Sequence, residues 1–241
     1  MNIIDRTLNI PPLLNARDLG GHPTTDGSQT RYRSLFRSDD LAQLTPEGLR
    51  ALADHGVETV VDLRWAEELV LQPNPVPRDL QNVRYRHISL LASTANEWRA
   101  FSEDYEKERF KLAVLEHVRA ELRDVLRAIA ESSPGPLLFH CVAGKDRTGI
   151  IAALLLALAD VEPASIAQDY ALSAEQLREA YIKRYAAESN PAAIIEAVRC
   201  PEVGVHNMLA YLETHGGIRT YLAKIGLSEY EINQLRARLR E

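Results

Sequence analysis

One stretch decides most of what this chain can become: His140-Cys141-Val142-Ala143-Gly144-Lys145-Asp146-Arg147-Thr148-Gly149. It is entered by an apolar run, Leu137-Leu138-Phe139, and left by another, Ile150-Ile151-Ala152-Ala153-Leu154-Leu155-Leu156-Ala157-Leu158. These flanks read as a buried strand and a buried helix joined by a tight loop. Such a loop aims backbone N–H groups, and the positive end of the helix dipole, at one point. That point suits a tetrahedral oxyanion. Cys141 opens the loop and Arg147 closes it.

A cysteine attacks as its thiolate, and a helix N-terminus with nearby positive charge lowers the thiol pKa. Both are present here, with Lys145 and Arg147 supplying the charge. Arg147 can grip two phosphate oxygens through its planar fork. Gly144 permits a positive φ or a close backbone approach. Thr148 offers a hydroxyl at the helix start. The implied chemistry is attack of Cys141 on phosphorus, a cysteinyl-phosphate, then attack by water. The loop residues Val142, Ala143, Gly144, Lys145 and Thr148 are the expected substrate-binding set. His140, beside the nucleophile, is expected to position Cys141 through hydrogen bonds.

The pattern H-C-x-x-G-x-x-R-T-G resembles the signature of the cysteine-based protein tyrosine phosphatase superfamily. In the form His-Cys-Val-Ala-Gly-Lys-Asp-Arg-Thr-Gly it resembles a bacterial branch whose members act on phosphotyrosine and often on phosphoinositides. Two upstream stretches fit the same branch: Asn15-Ala16-Arg17-Asp18-Leu19-Gly20-Gly21, similar to its N-terminal signature, and Val60-Val61-Asp62-Leu63-Arg64, similar to the strand end that faces the phosphate loop. The resemblance runs from about residue 13 to the C-terminal helix. It implies one α/β phosphatase domain over 1–241, a twisted, mostly parallel sheet flanked by helices, with the site at the C-terminal ends of the strands. It implies no metal or organic cofactor. Phosphotyrosine protein with dual specificity is the first substrate class, and phosphoinositide the rival.

The leaving oxygen needs a proton from a nearby acid. Neither tryptophan opens a Trp-Pro-Asp triplet: Trp65 precedes Ala66-Glu67, and Trp98 precedes Arg99-Ala100. Asp146 lies inside the loop, and myotubularin-type lipid phosphatases carry an Asp at the same place before the Arg. Asp146 is therefore the favoured acid. Asp62, at the end of a parallel strand, is the second candidate. Lys145 is expected to contact substrate charge, as a loop lysine does in the 3-phosphoinositide phosphatases. A phosphate-recognition module without catalysis would not need the nucleophile. A sulfur-transfer or arsenate-reducing enzyme would need a resolving cysteine that is not suitably placed.

With 241 residues the chain can bury a real core. Its net charge of −6 argues against a general nucleic-acid binder. The two cysteines, Cys141 and Cys200, do not form a disulfide framework and fit a reducing compartment. Cys200 reads as a spare thiol. The seven histidines lack paired ligand spacing, so no metal site is expected. The N-terminus shows no signal peptide, and the longest apolar run, from Ile150 to near Ala159, is too short to span a bilayer. A cytoplasmic location is expected, although relatives in this branch are exported without such a signal.

Elsewhere, Asn15–Gly21 reads as a turn or loop whose Arg17 and Asp18 form a buried pair bracing the phosphate loop. Arg31 to Ser38 reads as a strand with its arginines first on a solvated face, and lining the site as the alternative. Thr45-Pro46 starts a helix that Gly56 ends. Val57–Leu63 suits a central strand, and Val83–Ile88 another. From Trp98 to Glu131 the pattern turns helical. Leu115, Val118, Leu122, Leu126 and Ile129 form one stripe on a long helix, and the resemblance makes this segment a candidate lid. Pro163 is expected to start a short helix, and Ser228 with Glu231 to cap the last one.

Overall fold

The computed structural model describes residues 6–91, 109–187 and 189–240. Five strands form one sheet: β1 Arg17–Asp18, β2 Leu35–Ser38, β3 Thr59–Asp62, β4 Arg84–His87 and β5 Leu137–His140. Their spatial order is β1-β2-β5-β3-β4. Only β1 runs antiparallel to its neighbour. Every residue of β2, β3 and β5 is buried, as expected for parallel strands covered on both faces. Side chains alternate between two cores. Leu35, Val61, Leu137 and Phe139 enter the larger one, and Phe36, Val60 and Leu138 the smaller.

The described helices are α1 Pro46–Asp54, α2 Ala66–Leu71, α3 Val76–Asp79, α4 Phe110–His117, α5 Arg119–Ala130, α6 Asp146–Leu158, α7 Pro163–Tyr185, α8 Pro191–Val198, α9 Val203–Thr214, α10 Gly217–Lys224 and α11 Glu229–Leu239. Helix α6 is apolar on all sides and buried over nearly its whole length. It packs on β2 and β5 and is enclosed by α7, α10 and α11. Thr45 caps α1 ahead of Pro46, and Ser228 with Glu231 forms the capping box of α11. None of the described helices is long and apolar enough to cross a membrane.

Strand register places the site. Ser38, His140 and Asp62 stand side by side at the C-terminal ends of β2, β5 and β3. The residues that follow them, Asp39 and Asp40, Cys141, and Leu63 and Arg64, therefore emerge along one edge of the sheet.

Several local expectations are corrected by packing. Arg17 and Asp18 do not pair with each other, because neighbours on a strand point to opposite faces. Arg17 Nε donates instead to Asp169 Oδ1 at 2.9 Å, while Asp18 accepts from the Gly20 and Arg33 N–H groups at 2.8 and 2.7 Å. The strand read over Arg31–Ser38 is only Leu35–Ser38, and its Arg37 is fully buried, since β5 and the α6–α7 layer cover that face. The stripe from Leu115 to Ile129 is buried throughout but lies on two helices, broken where Val118 leaves helical dihedrals (φ −115, ψ 33). The helix begun by Pro163 is long, continuing to Tyr185. Of the candidate lid 98–131, residues 98–108 lie outside the described residues. Most of the rest builds α4 and α5, whose apolar side chains enter the larger core.

Candidate active site

Cys141 follows β5 directly and is 3% exposed. The loop it opens has every carbonyl from residue 141 to 145 turned away from its centre. Cys141 O accepts from His140 Nδ1 at 3.1 Å and Val142 O from the Asp40 N–H at 2.9 Å. Ala143 O and Gly144 O accept from Asn15 Nδ2 at 2.9 and 3.1 Å. Gly144 O also accepts from Arg37 Nη2 at 2.6 Å, and Lys145 O from the Gly149 N–H at 2.7 Å. Across a trans peptide the N–H points opposite to the carbonyl. Outward carbonyls therefore turn the following N–H groups inward, beside the start of α6 and its dipole. Gly144 has φ +63, and a Cβ there would lie 2.4 Å from Ser38 O.

Arg147, in the first turn of α6, is held by Glu68 on α2. Nη1 donates to Oε2 at 2.7 Å and Nη2 to Oε1 at 2.9 Å. The same Glu68 Oε2 accepts from the Trp65 N–H at 2.7 Å, and the Arg147 guanidinium lies 4.9 Å over the Trp65 ring. Burial opposes charge on both partners. Arg147 nevertheless holds the Glu68 carboxyl below its usual range, and Cys141 and Glu68 push Arg147 up.

Asp146 stands at the mouth of the loop with its side chain 43% exposed. Its Oδ1 accepts from Tyr170 OH at 2.9 Å, and its Oδ2 lies 3.3 Å from Lys145 Nζ. The buried Lys111 ammonium sits 3.8 Å over the Tyr170 ring. Burial works against the Asp146 charge, but Lys145, Lys111 and the tyrosine hydroxyl outweigh it and hold the carboxyl low. Burial also brings Lys111 down to about 8. Gly149 is a glycine for a related reason: a Cβ there would lie 2.7 Å from Tyr170 Cδ2, in the ring that carries this hydroxyl. Cys200 is buried, and its Sγ donates to Val198 O at 3.4 Å.

His140 and Asp62 form a buried pair behind Cys141, with Nε2 3.3 Å from Oδ2. Nδ1 faces a carbonyl and so must carry a proton. Asp62 also accepts from Arg64 Nη2 at 2.7 Å, Tyr85 OH at 2.8 Å and Asn74 Nδ2 at 3.1 Å. Burial opposes its charge, but His140 and Arg64 hold it far below the carboxylate range. The Thr148 hydroxyl is buried and has no hydrogen-bond partner among the described residues. No group of three or more His, Cys, Asp or Glu among the described residues is placed to hold a metal ion.

The tyrosine phosphatase family model matches residues 8–241. This chain belongs to that family. It is a phosphatase of the protein-tyrosine type and hence a hydrolase. It is similar to a tyrosine-protein phosphatase of Nostoc commune, 36% identical over 218 residues, which span 86% of this chain and 74% of the relative. It is also similar to the triple specificity protein phosphatase PtpB of Mycobacterium tuberculosis, 26% identical over 270 residues, 94% of this chain and 96% of the relative. A looser structural likeness, TM-score 0.35 at 19% identity over 69% of this chain and 88% of the other, joins it to TpbA of P. aeruginosa.

In this phosphatase the structure brings Cys141, Asp146, Arg147 and Thr148 to one loop, with His140 and Asp62 behind it. Val142 is 37% exposed at the mouth. Lys145 is turned sideways: its ammonium donates to Ala197 O on α8 at 2.8 Å as well as facing Asp146. Asp62 is fully enclosed by its four partners. Sequence reasoning missed Glu68, Asn15, Arg37 and Tyr170 as residues that hold the loop. Only Asn15 and Arg37 carried a signal, since Asn15 sits in the N-terminal signature and Arg37 in a strand.

Proposed function

We propose that the phosphatase hydrolyses phosphotyrosine in proteins, with dual specificity, through a cysteinyl-phosphate on Cys141. The observation that carries this reading is the outward turn of five successive loop carbonyls between Cys141 and Arg147. It leaves an N–H cradle for phosphate oxygens next to the nucleophile. The names of the Nostoc and mycobacterial relatives support the substrate class.

In the first half-reaction Cys141 Sγ bonds to phosphorus as the bond to the tyrosine oxygen breaks. Arg147 and the N–H groups take the charge of the transferring phosphoryl group. Asp146 gives its proton to the leaving phenolate. The lysines favour the carboxylate form of Asp146, but an arriving phosphate dianion is a like charge that drives a proton onto it. In the second half-reaction Asp146 takes a proton from water as its oxygen attacks phosphorus, and the Cys141 thiolate leaves. The unpartnered Thr148 hydroxyl is suited to donate to that thiolate. His140, oriented by Asp62, fixes the Cys141 carbonyl. Asp62 is less suited to be the acid, because it is buried and its oxygens already accept from Arg64, Tyr85 and Asn74.

We read residues 1–241 as one phosphatase domain, in line with a family match from residue 8 onward. Phosphoinositide is the second reading. It rests on Lys145, whose ammonium is already engaged by Ala197 O and Asp146, so phosphotyrosine stands first.

The test is phosphate release from a phosphotyrosine peptide, a phosphothreonine peptide and a soluble phosphoinositide, with wild type, Cys141→Ser and added chelator. Turnover that survives chelator and vanishes in Cys141→Ser is the expected result. Turnover that persists in Cys141→Ser would sink the cysteinyl-phosphate mechanism, and the ratio among substrates assigns the class.

A further inference from the structure

Behind the phosphate loop lies a buried cluster of charge that neither the motif nor the reaction accounts for. Its centre is Asp169 on α7, 1% exposed. Arg17 Nε lies 2.9 Å from Oδ1, Arg37 Nη1 2.6 Å from Oδ2, and Arg6 Nη1 3.3 Å from Oδ1. His22 Nε2 is 3.6 Å away, and burial lowers its pKa and keeps the ring neutral. Three guanidinium groups thus share one carboxylate. Arg17 and Arg37 have no exposed surface, and they face each other directly across β1 and β2. Like charges in that position repel, and buried charge without a full complement of counter-charge is costly. A fold that keeps such an excess has a use for it or a negative charge to meet it.

The cluster reaches the loop by two routes, and both end on the same carbonyl. Arg37 donates through Nη1 to Asp169 and through Nη2 to Gly144 O at 2.6 Å. Arg17 donates to Asn15 Oδ1, and Asn15 Nδ2 donates to Gly144 O at 3.1 Å. Arg17 is itself tied to α7 through Asp169 O at 2.7 Å and Ser173 Oγ at 3.1 Å.

We propose that Arg37, anchored on Asp169, is a positioning residue of the phosphate loop: it holds the Gly144 carbonyl outward, and the uncompensated charge of the Arg17–Arg37 pair stabilises the Cys141 thiolate. The inference rests on Cys141 being the nucleophile. Burial and the neighbouring Arg17 bring Arg37 down to about 10, while Asp169 and the Cys141 thiolate favour its charge. The other groups bearing on Cys141 are Arg147 and Lys145 from the loop and α6 and Tyr181 from α7; Asp146 faces Lys145, and Asp39, at the end of β2, faces His140. Arg37 joins the Gly144 carbonyl to Asp169 as His140 joins the Cys141 carbonyl to Asp62, so the loop is held to a buried carboxylate on two sides.

The test uses Arg37→Met, Arg37→Lys and Asp169→Asn in the full chain. Three readouts are taken: the rate of iodoacetamide alkylation of Cys141 against pH, followed on its peptide by mass; affinity for inorganic phosphate; and thermal melting. Removing a charge that favours the thiolate makes Arg37→Met about tenfold slower to alkylate at pH 5.5 and weakens phosphate binding. Arg37→Lys keeps the charge but not the fork, so alkylation stays near wild type while phosphate binding weakens. Asp169→Asn removes the one negative charge and speeds alkylation at low pH, even though it lowers the melting temperature. A brace with no electrostatic role would slow alkylation or leave it unchanged in Asp169→Asn, and either result overturns the proposal. If Arg37→Met does not fold, Arg37→Lys and Asp169→Asn decide it. Failure of the nucleophile reading appears separately, as turnover that survives Cys141→Ser.

Discussion

Replacing Gly144 by alanine tests whether the loop's shape, and not only its residue types, makes the site. Gly144 has φ +63, and the left-handed region costs a residue with a Cβ about 1–2 kcal/mol. The new Cβ would also lie 2.4 Å from Ser38 O, 2.6 Å from Ser38 C and 2.7 Å from Asp39 N. These are backbone atoms at the end of a buried strand, which cannot swing aside as a side chain would. Relief of the clash requires the loop to move away from β2, at a typical overpacking cost of about 1–3 kcal/mol. Together these give a loss of about 2–5 kcal/mol of stability. That movement stretches the Arg37 and Asn15 bonds to Gly144 O, and a misplacement of this order lowers kcat/KM about a hundredfold. Gly27 supplies the control, with φ +82 and nothing within 4 Å of an added Cβ. Gly27→Ala should lose the φ term alone and keep full activity. Denaturant unfolding and steady-state turnover of p-nitrophenyl phosphate measure both. If Gly144→Ala were no less stable than Gly27→Ala and equally active, the close approach of loop and strand would play no part in catalysis.

Three further outcomes follow from the site. Asp146→Asn should slow phenyl phosphate about 10²–10⁴-fold and p-nitrophenyl phosphate much less, since a good leaving group needs little proton transfer; equal slowing of the two would remove Asp146 from the acid role. Glu68→Gln breaks a bidentate hold on Arg147 and should lower kcat/KM about 10–100-fold, the equivalent of one strong charged hydrogen bond; unchanged kinetics would mean that Arg147 is positioned without it. The third outcome concerns acid stability. At Asp62 and Asp169 burial opposes charge, yet His140 and Arg64 at the first, and Arg17 and Arg37 at the second, hold both carboxyls far below the ordinary range. As pH falls, the unfolded chain takes up these protons first, so their stabilisation is complete above about pH 4 and is lost below it. Asp18 and Asp39, pushed up by burial, contribute a small opposite gain just above that range. Urea midpoints at pH 7, 4.5 and 3 follow this, and a midpoint at pH 3 as high as at pH 7 would contradict it.

The shape of the candidate loop was legible because its parts are local. Cysteine, arginine, in-loop carboxylate and glycine fall within ten residues, and the apolar runs on either side already specify strand and helix by length and pattern. The burial of β5 and the caps at Thr45 and Ser228 were legible for the same reason. Its supports were not. Arg37, in a short strand among other arginines, read as a solvated charge, and burial on both faces of a parallel sheet reversed that. The Arg17–Asp18 pair suggested by adjacency was undone by the pleat, which sends successive side chains to opposite faces.

The sequence by itself determined the candidate chemistry, because it sets a thiol, a guanidinium and a helix N-terminus within ten residues. The tertiary structure alone decided how that chemistry is held. Glu68 reaches Arg147 across 79 residues of chain, and Asp169 reaches Arg37 across 132 and Arg17 across 152. Side chains so far apart meet only where the strand register and the placement of α2 and α7 bring them, and no local pattern records that meeting.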